Sequence, residues 1–163
     1  KIKQLNKGHD RKKFDCGQSE INKFLKLQAN QSAKKSYSQT HVLIDENKPI
    51  QIIGFYTLTS ILINKPLQHQ INIKYPHELF GVNLARMGVD INFQKQSLSS
   101  HLIIDAIEKT TIIEQNMGCQ GLFVDAKNEK LIQYYKKFGF ETISDTSYRM
   151  WLPIGTINKL AKF

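Results

Sequence analysis

From Ile21 onward apolar residues recur at helical spacing. At about 100° per residue, Ile21, Phe24, Leu25, Ala29 and Ala33 share one half of a helix over residues 19–36, and Lys23, Lys26 and Lys34 fall on the other half. Ser19 stands where a capping side chain is expected. The pattern then turns strand-like at 40–45, through His41-Val42-Leu43-Ile44, and again at 51–63, with Lys48-Pro49 between them as the turn of a hairpin. Residues 64–78, with Pro66 and Pro76, read as a loop. Leu84 to Asp90 returns to strand, and Gly88 inside it marks a bulge or a close backbone approach.

The longest helix is expected over 97–117, with Leu98, Leu102, Ala106, Ile113 and Met117 on one side and Gly118 as its stop. Gly121 to Ala126 reads as a buried strand. Asn128 then caps a helix over 129–138 whose face is Leu131, Tyr134, Tyr135 and Phe138, closed by Gly139. A hairpin over 140–152 follows, and the tail has room for a helical turn. The order β, α, β, β, β, α, β, α, β defines a mixed α/β domain, and neither repeats nor a Pro/Gly linker divide residues 1–163. A single domain is expected.

Composition narrows the function classes. The 163 residues are 40% hydrophobic, enough for one core and against wholesale disorder. Ile52 to Ile63, the longest strongly apolar run, is too short for a membrane helix, and residues 1–13 lack the apolar stretch of a secretory signal, so a cytoplasmic protein is expected. Cys16 and Cys119 form no C-x-x-C pair and read as buried thiols; the five histidines show no i, i+4 pair, and no metal is assigned. The net charge of +9 is uneven. Residues 1–40 carry ten basic and three acidic side chains, a net +7, which points to a polyanionic partner, nucleic acid before membrane, with a generally solvated basic surface as the alternative.

At Leu84-Ala85-Arg86-Met87-Gly88-Val89-Asp90, Gln94, the long helix and Tyr134-Tyr135-Lys136-Lys137-Phe138-Gly139-Phe140, the chain resembles the GCN5-related N-acetyltransferases. With Phe14-Asp15-Cys16-Gly17, Ile21-Asn22-Lys23-Phe24-Leu25 and Gly54-Phe55-Tyr56-Thr57-Leu58, it looks like the branch of acetyltransferase toxins paired with antitoxins. The resemblance implies a mixed, mostly antiparallel twisted sheet with a splayed central strand and flanking helices. It also implies acetyl-coenzyme A as donor, the α-amino group of an aminoacyl-tRNA as acceptor, arrest of translation, a ribbon-helix-helix antitoxin and a homodimer. Two alternatives stay open: acetylation of a protein or small-molecule amine, and a non-catalytic module of this fold that binds RNA or a partner.

By the same resemblance, the backbone of Met87 and Val89 would pair with the pantetheine arm, against the alternative of a buried strand with a packing glycine. The pyrophosphate would sit on Gln94, Lys95, Gln96, Ser97, Leu98, Ser99 and Ser100 at the helix N-terminus, and Asn128 is assigned to the donor as well. The family reads Q-x-x-G-x-G at this turn. Here it has no glycine, so each added Cβ crowds the site while serine hydroxyls and Lys95 offer new anion partners. Tyr135 takes the position of the general acid for the departing thiolate; a core tyrosine with a satisfied hydroxyl is its alternative. No general base is evident, since an α-amino group of pKa about 7.7 is already partly neutral, and nothing in the sequence places His41 or Glu78 at the site. For RNA phosphates the candidates are Lys12, Lys13, Lys23, Lys26, Lys34, Lys35 and Arg86, with a structural ion pair as the other reading of Arg86.

Overall fold

The computed structural model describes residues 1–64 and 78–160. Most of the expected loop at 64–78, with Pro66 and Pro76, and the last three residues of the tail lie outside the described residues. The fold divides into two compact units, Lys1–Thr59 with Ala85–Ala106, and Ser60–Leu84 with Ile107–Phe163. Strand order across the sheet is β1 (Ile2–Gln4), β2 (Gln39–Leu43), β3 (Gly54–Asn64), β4 (Glu78–Val89), β5 (Gly121–Asp125), β7 (Arg149–Pro153), β6 (Glu141–Thr142), with one parallel pair, β4–β5, in an otherwise antiparallel set of recorded pairings.

The first unit opens with β1 (Ile2–Gln4) and a helical stretch from Ser19 to Lys34. That stretch is not one α-helix. α1 (Ser19–Lys23) passes into a π-helical turn, Phe24–Gln28, before α2 (Ala29–Lys34). Ser19 is its first helical residue, and Gln18 holds the cap position without a side-chain bond. A π-turn fits one extra residue into the repeat, which a 100° reading does not detect. Phe24, Leu25 and Ala29 are still buried, while Ala33 is only half-buried.

β2 (Gln39–Leu43) and β3 (Gly54–Asn64) pair antiparallel around the expected turn, where the Lys48 amide donates to Asp45 and the Gln51 amide to Lys48. β4 (Glu78–Val89) begins earlier than expected, and α3 (Leu98–Met117) ends at Gly118, whose φ of +71° and amide bond to Glu114 close the helix. Leu102, Ile103, Ala106 and Thr110 form the buried face of α3; Met117, expected on that face, is exposed. The core of this unit joins Phe14, Phe24, Leu25, Val42, Ile44 and Phe55, with Phe14 edge-on to Phe55 at 5.3 Å. Burying side chains of this size stabilises by roughly 1.5–3 kcal/mol each.

The second unit holds β5 (Gly121–Asp125), α4 (Glu129–Lys136), β6 (Glu141–Thr142), β7 (Arg149–Pro153) and α5 (Ile154–Leu160). Its core packs Phe123 against Trp151, at 5.6 Å between rings, with Ile63, Leu79 and Ile143. Arg149 clamps Asp125 through two nitrogens, at 2.7 and 3.0 Å, across the β5–β7 pair. The buried face of α4 is Ile132 and Tyr135; Leu131, Tyr134 and Phe138 of the expected face are half-buried. No helix among the described residues is long and apolar enough to cross a membrane.

Candidate active site

β4 pairs with β5 at Val82–Leu122, Asn83–Phe123 and Leu84–Val124, where the register ends, although β4 itself runs on to Val89. The strand's last stretch therefore lies beyond its recorded pairing with β5. Gly88 falls here, and the close approach expected of it is to the N-terminal segment: an added Cβ would lie 3.1 Å from Cys16 Cβ and 3.2 Å from both Cys16 Sγ and Ile21 Cγ2. Met87 and Val89 are half-buried, and the Val89 carbonyl already accepts from Gln94 Nε2 at 2.9 Å, leaving its second lone pair.

Asp90 ends the strand. Its buried carboxylate accepts from the Asn92 amide at 3.0 Å, from Asn92 Nδ2 at 2.9 Å and from the Asp15 amide at 3.1 Å, which turns the chain through a 3-10 segment, Ile91–Phe93. Lys95 and Ser97 then adopt φ of +65° and +57°, the left-handed conformation that side chains disfavour by about 1–2 kcal/mol each. Ser97 thus keeps the backbone form a glycine would take, and its carbonyl accepts from the Ser100 amide at 3.1 Å. Lys95, Gln96 and Ser97 are exposed, Leu98, Ser99 and Ser100 half-buried, and the first turn of α3 carries no acidic residue. The start of a 20-residue helix, with serine hydroxyls and one flanking cation, is chemistry that suits a diphosphate. Gln94 differs from its neighbours, since its amide turns inward to Val89 and Cys16.

In the same unit the Arg86 guanidinium lies 4.1 Å from the ring centroid of Phe24, the first residue of the π-turn. The ion-pair reading of Arg86 meets no carboxylate among the described residues. Lys12, Lys13, Lys23, Lys34 and Lys35 are exposed and Lys26 half-buried, with Lys13 at 3.5 Å from Asp10. His41 stacks on Tyr56 at 5.1 Å, and the Tyr56 hydroxyl donates to Asp105 of α3. Both cysteines are buried and free, and among the described residues no three metal-binding side chains cluster.

In the second unit, Asn128 caps α4 through its side chain, which accepts from the Leu131 amide at 3.0 Å, and Gly139 ends the turn at φ +91°. Tyr135 is 6% exposed, its ring 5.6 Å from Tyr134 and 5.4 Å from Phe140. Burial, helped by the neighbouring Tyr134, pushes its phenol up to about 12. Its hydroxyl makes no hydrogen bond among the described residues, where no buried side-chain nitrogen or oxygen lacks a partner. The ring is core and the hydroxyl is its one polar end. Glu78 is exposed at the start of β4.

Sequence reasoning quoted Asp15, Cys16 and Asn22 but gave them no task, and did not detect the bonds of Asp90 and Asn92. The signal available was the polar pair Asp15 and Asn22 beside a buried Phe14 and Cys16.

The strand order, flanking helices and register that stops short of the end of β4 are those of the GCN5-related N-acetyltransferase fold. No family model matches the chain. It is similar over 93% of its length to a protein named Probable toxin TacT of Sinorhizobium fredii, at 24% identity and 89% of that protein. A tRNA-acetylating toxin of Mycobacterium tuberculosis is 23% identical over 85% of this chain and 82% of its own. Among solved structures, the toxin AtaT complexed with acetyl-methionyl-tRNA superposes with a TM-score of 0.89, at 26% identity, over 99% of this chain and 98% of that one. AtaTR bound with acetyl-coenzyme A gives 0.84 at 26% identity (99% and 97% covered), and AtaT bound to the C-terminus of the antitoxin AtaR 0.83 at 25% (98% and 96%). The resemblance to acetyltransferase toxins thus extends over nearly the whole chain.

Proposed function

We propose that this chain is a single-domain N-acetyltransferase toxin that moves acetyl from acetyl-coenzyme A to the α-amino group of an aminoacyl-tRNA and so stops translation. The observation that carries this reading is the near-complete match to a toxin solved with acetyl-methionyl-tRNA. In this reading the turn 94–100 receives the pyrophosphate through its amides and the hydroxyls of Ser97 and Ser99, Lys95 supplies a point charge, and the backbone of Met87 and Val89 aligns the pantetheine arm. Asn128 acts through the start of α4 that it caps.

The neutral amine attacks the thioester carbon, an N–C bond forms, backbone N–H groups of the strand face the developing oxyanion, and the C–S bond breaks. A phenol held at about 12 keeps its proton at neutral pH, so Tyr135 is protonated when the C–S bond breaks. Tyr135 is the general acid, giving that proton to the sulfur as it leaves. The proton lost by the attacking nitrogen restores the phenol, so the reaction balances without a separate base.

Lys12, Lys13, Lys23, Lys26, Lys34 and Lys35 contact RNA phosphates, and Arg86 holds the acceptor end. A ribbon-helix-helix antitoxin, a homodimer and a cytoplasmic location complete the reading. The test is transfer of labelled acetyl from acetyl-coenzyme A to charged tRNA, uncharged tRNA and a lysine peptide. Label confined to the α-amino group of charged tRNA supports the proposal; label on the peptide alone, or on nothing, overturns it.

A further inference from the structure

The left-handed residues Lys95 and Ser97 need an external restraint, because strained backbone persists only where its surroundings over-determine it. The residues just before them are bonded to the N-terminal segment. Asn22 of α1 accepts from the Cys16 amide at 2.9 Å through Oδ1 and donates to Asp15 Oδ1 at 2.7 Å through Nδ2. Asp15 Oδ1 also accepts from the Gly17 amide at 2.8 Å; this bond first, and the Asn22 amide next, hold the Asp15 carboxyl below its ordinary pKa. The segment so fixed holds the chain over residues 90–94, immediately before the left-handed pair. The Asp15 carbonyl accepts from the Ile91 amide at 2.8 Å, the Asp15 amide donates to Asp90, and the Cys16 carbonyl accepts from Gln94 Nε2 at 3.1 Å. Gln94 Nε2 ties the last residue of the strand to the same point through Val89.

From this geometry we infer that Asn22 and Asp15 are positioning residues for the acyl donor: they hold Gln94, and through it the glycine-free turn 94–97, in its diphosphate-receiving form. This rests on the acetyltransferase reading, in which that turn meets the donor. In place of glycine, which adopts the left-handed form freely, this chain uses side chains there and a hydrogen-bonded clamp from α1 to keep them in it.

The experiment is titration of the full chain with coenzyme A, alongside steady-state kinetics with charged tRNA. Asn22→Ala removes both bonds and raises the coenzyme A dissociation constant and the KM for acetyl-coenzyme A about tenfold, leaving kcat at saturating donor and the KM for charged tRNA within twofold. The exchanged pair Asp15→Asn with Asn22→Asp keeps one carboxylate and one amide facing each other, with an acceptor for the Cys16 and Gly17 amides, and restores donor affinity. Unchanged coenzyme A affinity in Asn22→Ala, or a loss spread equally over both KM values and kcat that the exchanged pair does not restore, overturns the inference. A wild-type chain that binds no coenzyme A overturns the acetyltransferase reading itself, a separate and recognisable failure. A melting curve for each variant identifies simple unfolding, and the exchanged pair then carries the test.

Discussion

Residues 90–97 are mostly exposed and are fixed by hydrogen bonds from Asp15, Asp90, Asn92 and Gln94, while Tyr135 sits in a setting of the opposite kind, its ring packed among Tyr134 and Phe140. One region places backbone amides and the other a single phenol. Directional bonds suit the first, because a turn at a helix start is defined by where its N–H groups point. Packing suits the second, because a hydroxyl committed to an internal bond is less available to a substrate. The two regions should therefore fail in different ways.

The largest effect is expected from removing the packing. Tyr135→Ala should cost about 3–5 kcal/mol of stability, the range for deleting a buried aromatic, read from urea unfolding; a loss under about 1 kcal/mol would show that the ring is not held as described. The opposite sign is expected at the turn. Ser97→Gly should add about 1 kcal/mol by relieving a left-handed side-chain residue, measured by the same unfolding curve, and a destabilised variant would mean that the Ser97 side chain contributes more than its strain costs.

A further effect follows from the phenol's titration. Its value in the fold, about 12, lies above the ordinary 10, so the folded state binds this proton more tightly than the unfolded one. Its contribution is fully present below pH about 10 and is lost as pH rises through about 12. Relative to Tyr135→Phe, the wild type should lose stability only in that window. A difference that instead developed between pH 6 and 8 would contradict the burial that raises the phenol.

Where local chemistry sets a boundary, the sequence was legible: Gly118 and Gly139 end helices, Asn128 caps one, and Lys48-Pro49 turns a hairpin, all through bonds within a few residues. The π-turn was not legible, because apolar spacing barely distinguishes it from an α-helix. Nor was the true face of α4, where Ile132 rather than Leu131 is buried: both are apolar, and only the packing around them selects one. At the candidate site, the splayed strand and Tyr135 were named from motif resemblance. The clamp around Gln94 was hidden because its partners lie far apart in sequence, Asp15 from Asp90 and Cys16 from Gln94, and polar pairs carry no periodic signal.

The central claim is that the turn holds the donor and Tyr135 serves only the departure of sulfur. The most direct test compares Tyr135→Phe with the wild type in two numbers, the dissociation constant for coenzyme A and the turnover of acetyl onto charged tRNA at saturating donor. The account predicts an unchanged dissociation constant and a turnover lowered about a hundredfold. A variant that transfers acetyl at the wild-type rate, or one whose whole loss is in coenzyme A affinity, would contradict it.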